Sequence, residues 1–197
     1  MTAPTLAQPY TLTAYRALEE ASEERHEYRN GGVALMPGGT LEHSQIAGNI
    51  YALLRIALKG TSFKPITSDL RIWIPQYRRG TYADIAAIEG PPQFNDNRRD
   101  EILNPKLIVE VLSPSTEAYD RGNKFLYYRS IPTFSEYLLV SQSRPFIDRY
   151  IKTTDTQWVL TSYEGLETTV TMASIPVELA MAGIYEDIAF APKQDRE

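Results

Sequence analysis

The stretch NPKLIVEVLSPSTEAYDRGNKFLYY, residues 104–128, decides the fold. Its first part, Lys106–Leu112, is a nearly unbroken run of leucine and β-branched side chains, which is typical of a strand covered on both faces. Glu110 lies inside this run. A carboxylate among apolar neighbours costs several kcal/mol unless it is paired, protonated or bound to a metal ion. Either a cation therefore meets Glu110, or the strand assignment is wrong.

The segment after this strand predicts a turn followed by a helix. Ser113–Thr116 breaks the strand and supplies N-cap residues, and the helix is expected to run to about Arg129. Asp120, Lys124 and either Tyr127 or Tyr128 recur at helical spacing and share one face. Such a strand–turn–helix can bring the lysine near the carboxylate of the strand. This is, in outline, the arrangement of a phosphate site.

The composition indicates one globular domain. The chain has 197 residues, of which 43% are hydrophobic and 23% charged, as in ordinary soluble proteins. Residues 10–190 are expected to form a single domain between a loose tail at 1–9 and a polar tail at 191–197. The net charge of −5 argues against non-specific coating of nucleic acid but permits a local basic rim. Cysteine is absent, which excludes disulfides and thiolate metal sites.

A cytoplasmic location is expected from two features. Residues 1–13 lack a basic start followed by an apolar core, so no signal peptide is apparent. The most apolar helical candidate, Ile46–Leu58, is too short to cross a bilayer and contains Arg55. We therefore expect no membrane association.

A second acidic residue is predicted on a strand. The segment YADIAAIE, Tyr82–Glu89, favours a strand in which Asp84 shares a face with Ala86 and Ile88. Two strands that each carry one carboxylate on an apolar face can converge on a single cation. The alternative is that Asp84 and Glu110 form two independent ion pairs with arginines.

Several other polar residues are candidates for the same site. Glu27 falls at the start of a predicted hairpin and is either a third site carboxylate or a solvated acid. His43, in the first turn of a helix, has either an accessory or a structural role, and a zinc site is not favoured without cysteine. Lys124 has the alternative role of an i, i+4 partner of Asp120, worth about 0.3–0.5 kcal/mol. Four loop arginines form either a phosphate-contacting rim or a solvated surface. They are Arg78, Arg79, Arg98 and Arg99.

The element order predicts an α/β (α+β) fold. From the longest predicted helix onward the elements run α-β-β-β-α-β, which gives a mixed β-sheet flanked by helices. An N-terminal helix and hairpin and a C-terminal hairpin are added to this core. The expected bounds are a helix capped by Thr13 and running to about Glu24, a hairpin across Asn30-Gly31, a helix over Leu41–Lys59, two short strands or one bent strand at Phe63–Ser68 and Leu70–Pro75, a loop at Gln76–Thr81, a strand at Glu136–Ser141, a hairpin of Phe146–Lys152 and Trp158–Tyr163, and a short helix within Pro176–Asp187. The polar loop Gly90–Leu103 is expected to be a surface excursion and is a candidate lid or contact loop.

A family resemblance is carried by short pieces spread over about residues 10–190. They are Glu27 with Asn30-Gly31, His43 opening a helix, Tyr82-Ala83-Asp84, Ile108–Thr116, the spaced Asp120, Lys124 and Tyr128, and Glu136–Val140. The chain thereby resembles the Uma2 family of endonucleases within the PD-(D/E)XK restriction-endonuclease-like superfamily. The EVLSPST block followed by the helical Asp–Lys–Tyr spacing is the most specific of these pieces.

The resemblance implies roles for individual residues. Asp84 and Glu110 would be the metal carboxylates, and the backbone carbonyl of Val111 would be a further ligand. Lys124 would be the catalytic lysine of the superfamily, and Glu27 an accessory catalytic acid. His43, Asp120 and Tyr128 would have accessory roles.

The sequence departs from the family pattern at two positions. The proline usual before the first aspartate is Ala83, which affects backbone stiffness. The lysine expected two positions after the glutamate is replaced by Leu112. Migration of this lysine onto the following helix is a known variation in the superfamily, so Lys124 can replace it.

The implied function is a Mg²⁺-dependent endonuclease, with Mn²⁺ as an alternative metal, that hydrolyses DNA by a metal-activated water. A homodimer is expected, because a small nuclease domain gains reach on duplex DNA by pairing. No particular protein partner is predicted. Two other classes remain open: a non-catalytic DNA- or protein-binding module, and a metal-dependent hydrolase of another phosphorylated substrate. The retained acids and lysine argue against the binding module, and the negative net charge argues for it.

Overall fold

A computed structural model describes residues 9–36 and 38–190 of the protein. Residues 1–8 and 191–197 of the two expected tails lie outside the described residues, as does Pro37. The strands are β1 (His26–Arg29), β2 (Gly32–Leu35), β3 (Phe63–Thr67), β4 (Arg71–Ile74), β5 (Arg79–Thr81), β6 (Ile85–Glu89), β7 (Glu101–Ile102), β8 (Pro105–Leu112), β9 (Glu136–Ser141), β10 (Phe146–Lys152), β11 (Trp158–Glu164), β12 (Thr169–Thr171) and β13 (Glu178–Ala180). The α- and π-helices are α1 (Leu12–Ala21), α2 (Leu41–Ala57), α3 (Glu117–Tyr119), the π segment (Asp120–Lys124), α4 (Phe125–Tyr128) and α5 (Met181–Ile184).

The main sheet has six strands in the order β11-β10-β9-β8-β6-β3. Its inner strand β8 pairs antiparallel with β6 and parallel with β9. A parallel pair needs a crossover connection, and here α3, the π segment and α4 supply it. The predicted mixed sheet with flanking helices is therefore confirmed.

The side chains of β8 alternate between two hydrophobic cores. Val109 and Val111 pack in the core that contains the buried face of α2. Ile108 and Leu112 pack in the core that contains the buried side chains of α4. Glu110 shares this second face by period-2 alternation and is only 3% exposed. The prediction of a strand covered on both faces, with a carboxylate inside it, is confirmed.

A second sheet, β2-β1-β5-β4-β7, was not predicted as a unit. It contains the expected hairpin, in which Asn30 and Gly31 both have positive φ. The prediction of a loop at Gln76–Thr81 and a strand from Tyr82 is wrong, because Arg79–Thr81 forms β5 and the next strand begins only at Ile85. The three residues of β5 carry no apolar pattern, and antiparallel pairing with β1 and β4 stabilises them.

Three further expected bounds are corrected. The first helix starts earlier, because Thr11 and not Thr13 accepts the capping hydrogen bond from the Ala14 amide, and it ends at Ala21. The longest helix ends at Ala57, two residues before Lys59. The segment expected to be a short helix contains β13, paired with β12, before α5.

The segment Gly90–Leu103 is not a free surface excursion. It contains β7, and the Glu101 side chain is fully buried. Glu101 accepts hydrogen bonds from Arg16 (2.6 and 2.9 Å) and from Arg71 (2.7 Å). These ion pairs tie the segment to α1 and β4, so it does not have the freedom of a lid. In the part of the chain that the structure describes, no helix combines the length and apolarity that a membrane crossing requires.

Candidate active site

A cavity of about 320 Å³ opens where β6 and β8 meet the crossover helix. Its walls come from both sheets, from the start of α2 and from the loop after β8. Every residue predicted for catalysis or metal binding lines it, together with two of the accessory candidates. These residues are Glu27, His43, Asp84, Glu110, Val111, Asp120 and Lys124. The sequence prediction that these groups converge is therefore met by the geometry, although their chemical roles are not tested by it.

Asp84 lies at the end of β6 that faces β8. Ile85 pairs with Val109, so Asp84 comes beside Glu110 across the two strands. The Val111 amide donates a 2.7 Å hydrogen bond to Asp84 Oδ2. The N–H and C=O groups of one strand residue point to the same side, so the Val111 carbonyl also faces this edge.

His43 reaches the same edge from the first turn of α2. Its Nε2 lies 3.2 Å from Asp84 Oδ2. The hydrogen bond to Asp84 raises the pKa of His43, burial opposes the rise, and the Asp84 charge and the Val111 carbonyl add to it. The imidazolium is therefore favoured, and it places positive charge beside the half-buried carboxylate of Asp84.

Glu110 is the acceptor of a buried polar cluster. Lys124 Nζ lies 2.8 Å from Glu110 Oε1 and 3.5 Å from Asp120 Oδ1, and the Tyr128 hydroxyl donates to Glu110 Oε1 at 2.9 Å. Burial raises the pKa of Glu110 well above its ordinary value, and the charges of Asp84 and Asp120 add to the rise, although Lys124 opposes it. Tyr128 thus contacts Glu110 and Asp120 contacts Lys124, so each accessory candidate touches a predicted catalytic residue.

Lys124 stays charged despite its burial. Burial alone would lower the pKa of Lys124, but the Glu110, Asp120 and Glu27 carboxylates outweigh it and raise this pKa well above its ordinary value. One ammonium group thus faces several carboxylates.

The π segment aligns the residues of the crossover helix. Asp120 and Lys124 are its first and last residues, and both are buried. A π-helical turn is wider than an α-helical one, so residues four apart drift less around the axis and Asp120, Lys124 and Tyr128 keep to one stripe. Single π turns inside α-helices are frequent at functional sites.

Glu27 closes the opposite wall of the cavity. The Thr81 hydroxyl donates to Glu27 Oε1, and Arg29 donates to Glu27 Oε2 through Nε (3.1 Å) and Nη2 (2.7 Å). Burial opposes ionisation of Glu27, but the Lys124 charge and these hydrogen bonds lower its pKa below the ordinary value. Glu27 is therefore an ionised carboxylate with fixed orientation.

The four predicted phosphate-contacting arginines separate into two groups. Arg79 does not itself line the cavity but donates to the hydroxyl of Tyr119, which does, and exposed Arg78 precedes it in the chain. Arg98 and Arg99 do not line the cavity. Arg98 pairs with Glu20 and Asp100, and Arg99 lies over the Phe94 ring.

Sequence reasoning missed Arg29 and Tyr119, which both line the cavity. Arg29 follows Glu27 by two residues in a strand, so period-2 alternation alone could have placed them on one face. Tyr119 gives no such signal, because its position on the helix depends on the π segment.

The donor set fits a hard divalent cation. Among residues 9–36 and 38–190, no three His, Cys, Asp or Glu side chains form a ready-made metal cage. The site instead offers the carboxylates of Asp84 and Glu110 and the carbonyl of Val111, which are all oxygen donors. Mg²⁺ keeps several water ligands and commonly takes only one or two carboxylates. The residues present therefore fit Mg²⁺ better than a metal that requires a closed cage.

The site thus combines Asp84 and Glu110, beside each other at a strand edge of the mixed sheet, with Lys124 from the crossover helix. The fold is similar to that of a crystal structure described as a "putative nuclease belonging to DUF820" from Anabaena variabilis ATCC 29413. The match has a TM-score of 0.71 and 17% sequence identity, and it covers 90% of this chain and 98% of the other. The predicted mixed α/β fold is therefore shared with this structure.

The chain belongs to the Uma2 family, described as "Putative restriction endonuclease", whose model matches residues 12–182. Two proteins of Synechocystis sp. PCC 6803 are similar to it. The uncharacterized protein sll1609 is 34% identical over 155 residues, which are 79% of this chain and 88% of that protein. The uncharacterized protein slr1290 is 37% identical over 177 residues, which are 89% and 91% of the two chains.

Proposed function

We propose that the protein is a Mg²⁺-dependent endonuclease that hydrolyses phosphodiester bonds of DNA, with Mn²⁺ as an alternative metal. The observation that carries this proposal is the juxtaposition of Asp84, Glu110 and the Val111 carbonyl beside buried Lys124. Membership of the Uma2 family supports it. The oxygen-only donor set supports a hard divalent cation.

Asp84, Glu110 and the Val111 carbonyl would hold the metal. Bound at this edge, Mg²⁺ would lower the pKa of a water molecule and neutralise charge on the phosphate. Asp84 is the more accessible end of the set, with its side chain 21% exposed, and Glu110 is the buried end. The donors are fixed in advance, since Val111 orients Asp84 and Tyr128 orients Glu110.

Lys124 supplies fixed positive charge to the reaction. Its ammonium group is held by Glu110 and Asp120, so little reorganisation is needed when charge develops on the phosphoryl oxygens. Lysine is suited to this role as a compact point charge that does not coordinate metals when protonated. Ionised Glu27, held by Thr81 and Arg29, can accept a proton or hydrogen bond from a water molecule in the cavity.

The test is cleavage of supercoiled plasmid DNA with Mg²⁺ or Mn²⁺ by four proteins. These are the wild type, Asp84→Asn, Glu110→Gln and the control Glu164→Gln, whose acid forms an exposed pair with Arg144 far from the cavity residues. We expect nicking or linearisation by the wild type and the control, and a loss of at least about 100-fold in the two site variants.

Calorimetric titration of Mg²⁺ separates the alternatives. Binding without cleavage of DNA would leave the metal site standing and favour a hydrolase of another phosphorylated substrate, which nucleotide substrates would then test. A wild type that binds neither metal would contradict the proposal and favour a binding module. The expected homodimer also stays a prediction, for which sedimentation equilibrium is the measurement.

A further inference from the structure

We propose that Arg29 and Arg79, each held on a tyrosine ring, bind the phosphates of the DNA strand beside the cleaved bond. This inference rests on the proposed function and names a surface that delivers the substrate to the site. The surface consists of Arg29, Arg79, Tyr119 and Tyr127, and is called the arginine–tyrosine rim below.

The rim continues the wall of the catalytic cavity. β1 and β5 pair antiparallel, with Arg29 directly opposite Arg79. Two residues further along the same strands, the Thr81 hydroxyl donates to Glu27 inside the cavity. Because strand side chains alternate, the arginine pair lies on the same sheet face as the Glu27–Thr81 pair. A strand of DNA that leaves the cavity on this side therefore meets both guanidinium groups.

The charges of the rim are not balanced within the protein. Like charges directly opposite each other on paired strands are destabilising. The charge of Arg29 is offset by the Glu27 carboxylate, whose Oε2 lies 2.7 Å from Arg29 Nη2. Among the described residues, no carboxylate oxygen lies within 4.0 Å of a side-chain nitrogen of Arg79. Two arginines opposite each other lower the stability of the sheet. An anion that binds both guanidinium groups would explain why they are there.

The tyrosines hold the guanidinium groups in place. Arg79 Cζ lies 3.9 Å from the centroid of Tyr127, and its nitrogens donate to the hydroxyls of Tyr127 (3.2 Å) and Tyr119 (3.4 Å). Arg29 Cζ lies 5.1 Å from the Tyr119 centroid. The ring of Tyr77 packs on the ring of Tyr127, with 4.7 Å between their centroids. These contacts restrict the arginine rotamers before binding, which lowers the entropic cost of contacting a phosphate.

A phosphodiester chain matches the rim better than a carboxylate ligand does. The guanidinium fork pairs bidentately with phosphate oxygens, and two forks on adjacent strands suit an anion that repeats along a chain. Three other arginines of the fold have different surroundings. Arg71 and Arg98 are satisfied by acidic partners, and Arg129 lies over Phe125 beside another cavity.

The experiment measures the affinity of a fluorescein-labelled DNA duplex by anisotropy, in EDTA and over a range of salt concentrations. Arg79→Gln removes the charge but leaves Glu27 and its partners intact. Arg129→Gln is the matched control, because it removes an arginine that also lies over an aromatic ring but away from the cavity. We expect Arg79→Gln to bind about tenfold more weakly or worse, with a salt slope reduced by about 0.7 to 0.9, and the control to bind like the wild type.

Arg79→Lys keeps the charge and serves if the glutamine variant does not fold. It should bind DNA more weakly than the wild type, because an ammonium group cannot form the bidentate contact. Wild-type affinity and salt slope in the Arg79 variants would overturn the inference, as would a wild type that does not bind DNA.

Cleavage assays separate this inference from the proposed function. If the wild type cleaves plasmid DNA but its DNA affinity does not depend on Arg79, the rim inference is refuted and the nuclease proposal stands. If the protein binds Mg²⁺ and its DNA affinity depends on Arg79, but it does not cleave DNA, the nuclease proposal is refuted and the rim inference stands.

Discussion

At the scale of single residues, Lys124 is the counter-ion on which the buried acids depend. Its side chain is 9% exposed and that of Glu110 is 4% exposed. Removing one partner of a buried ion pair leaves an uncompensated charge, which typically costs about 3–5 kcal/mol. Lys124→Met should therefore lower the free energy of unfolding by about 3 kcal/mol at pH 8, as measured by urea denaturation.

The pH dependence of this variant has a definite sign. The pKa of Glu110 is already raised by burial, and loss of Lys124 removes the charge that opposes the rise. The protonated acid needs no counter-ion, so the loss of stability should be smaller at pH 5 than at pH 8. The double variant Lys124→Met/Glu110→Gln should recover much of the loss, and a double variant no more stable than the single one would refute this role.

Metal binding should release protons. Below its raised pKa the metal-free protein holds a proton on Glu110, and a cation must displace it. Mg²⁺ affinity should therefore rise as the pH increases through that pKa and level off above it. Titration calorimetry over a series of pH values, in two buffers of different ionisation enthalpy at each, measures the release, and identical heats in both buffers at every pH would contradict it.

At the scale of elements, the cap of α2 sets the position of His43. The Thr40 hydroxyl oxygen accepts a 3.1 Å hydrogen bond from the His43 amide. Replacing such a cap by alanine typically costs about 1 kcal/mol. Thr40→Ala should lose about this amount in thermal or urea unfolding, and Thr40→Ser should retain most of it.

Thr11 provides a comparison for this prediction. It caps α1 in the same way, through a 3.0 Å hydrogen bond from the Ala14 amide, but it does not line the cavity. Thr11→Ala should cost a similar amount of stability without changing Mg²⁺ affinity. Equal stability of Thr40→Ala and the wild type would show that the cap does not hold the start of α2.

At the scale of the whole molecule, the second sheet is tied to α1 by the charge of Glu101. This side chain is fully buried and pairs with Arg16 and Arg71. Glu101→Gln should lower the free energy of unfolding by about 3 kcal/mol, because Arg71 is buried and loses its closest counter-ion. Glu164→Gln, which breaks an exposed pair, should cost less than about 1 kcal/mol. Similar losses in the two variants, measured by urea denaturation, would contradict this account.

Most of the site could be predicted from the sequence because its signals are local. Glu110 stands out as an acid inside an apolar strand, and Lys124 follows on a helix whose spacing aligns it with Asp120 and Tyr128. Asp84 can be predicted from the alternation of side chains along a neighbouring strand alone. β6 begins later than predicted, but its pairing with β8 places Asp84 on the predicted face, beside Glu110.

The parts that were missed depend on contacts between distant segments. β5 has three residues and no apolar pattern, so only its pairing with β1 and β4 makes it a strand. Glu101 reads as a loop acid until Arg16 and Arg71 are brought to it by folding. Tyr119 lines the cavity from the residue just before the π segment, and ordinary helical residues do not predict the winding of that segment.

The most direct test of the account is the position of a bound metal ion in crystals of the protein soaked in Mn²⁺, located by anomalous diffraction. The account predicts one anomalous peak in contact with the Asp84 carboxylate, the Glu110 carboxylate and the Val111 carbonyl, and no such peak in crystals of Asp84→Asn. A peak elsewhere, such as among the exposed acids at the end of α1, or no peak at this edge of β8, would contradict it.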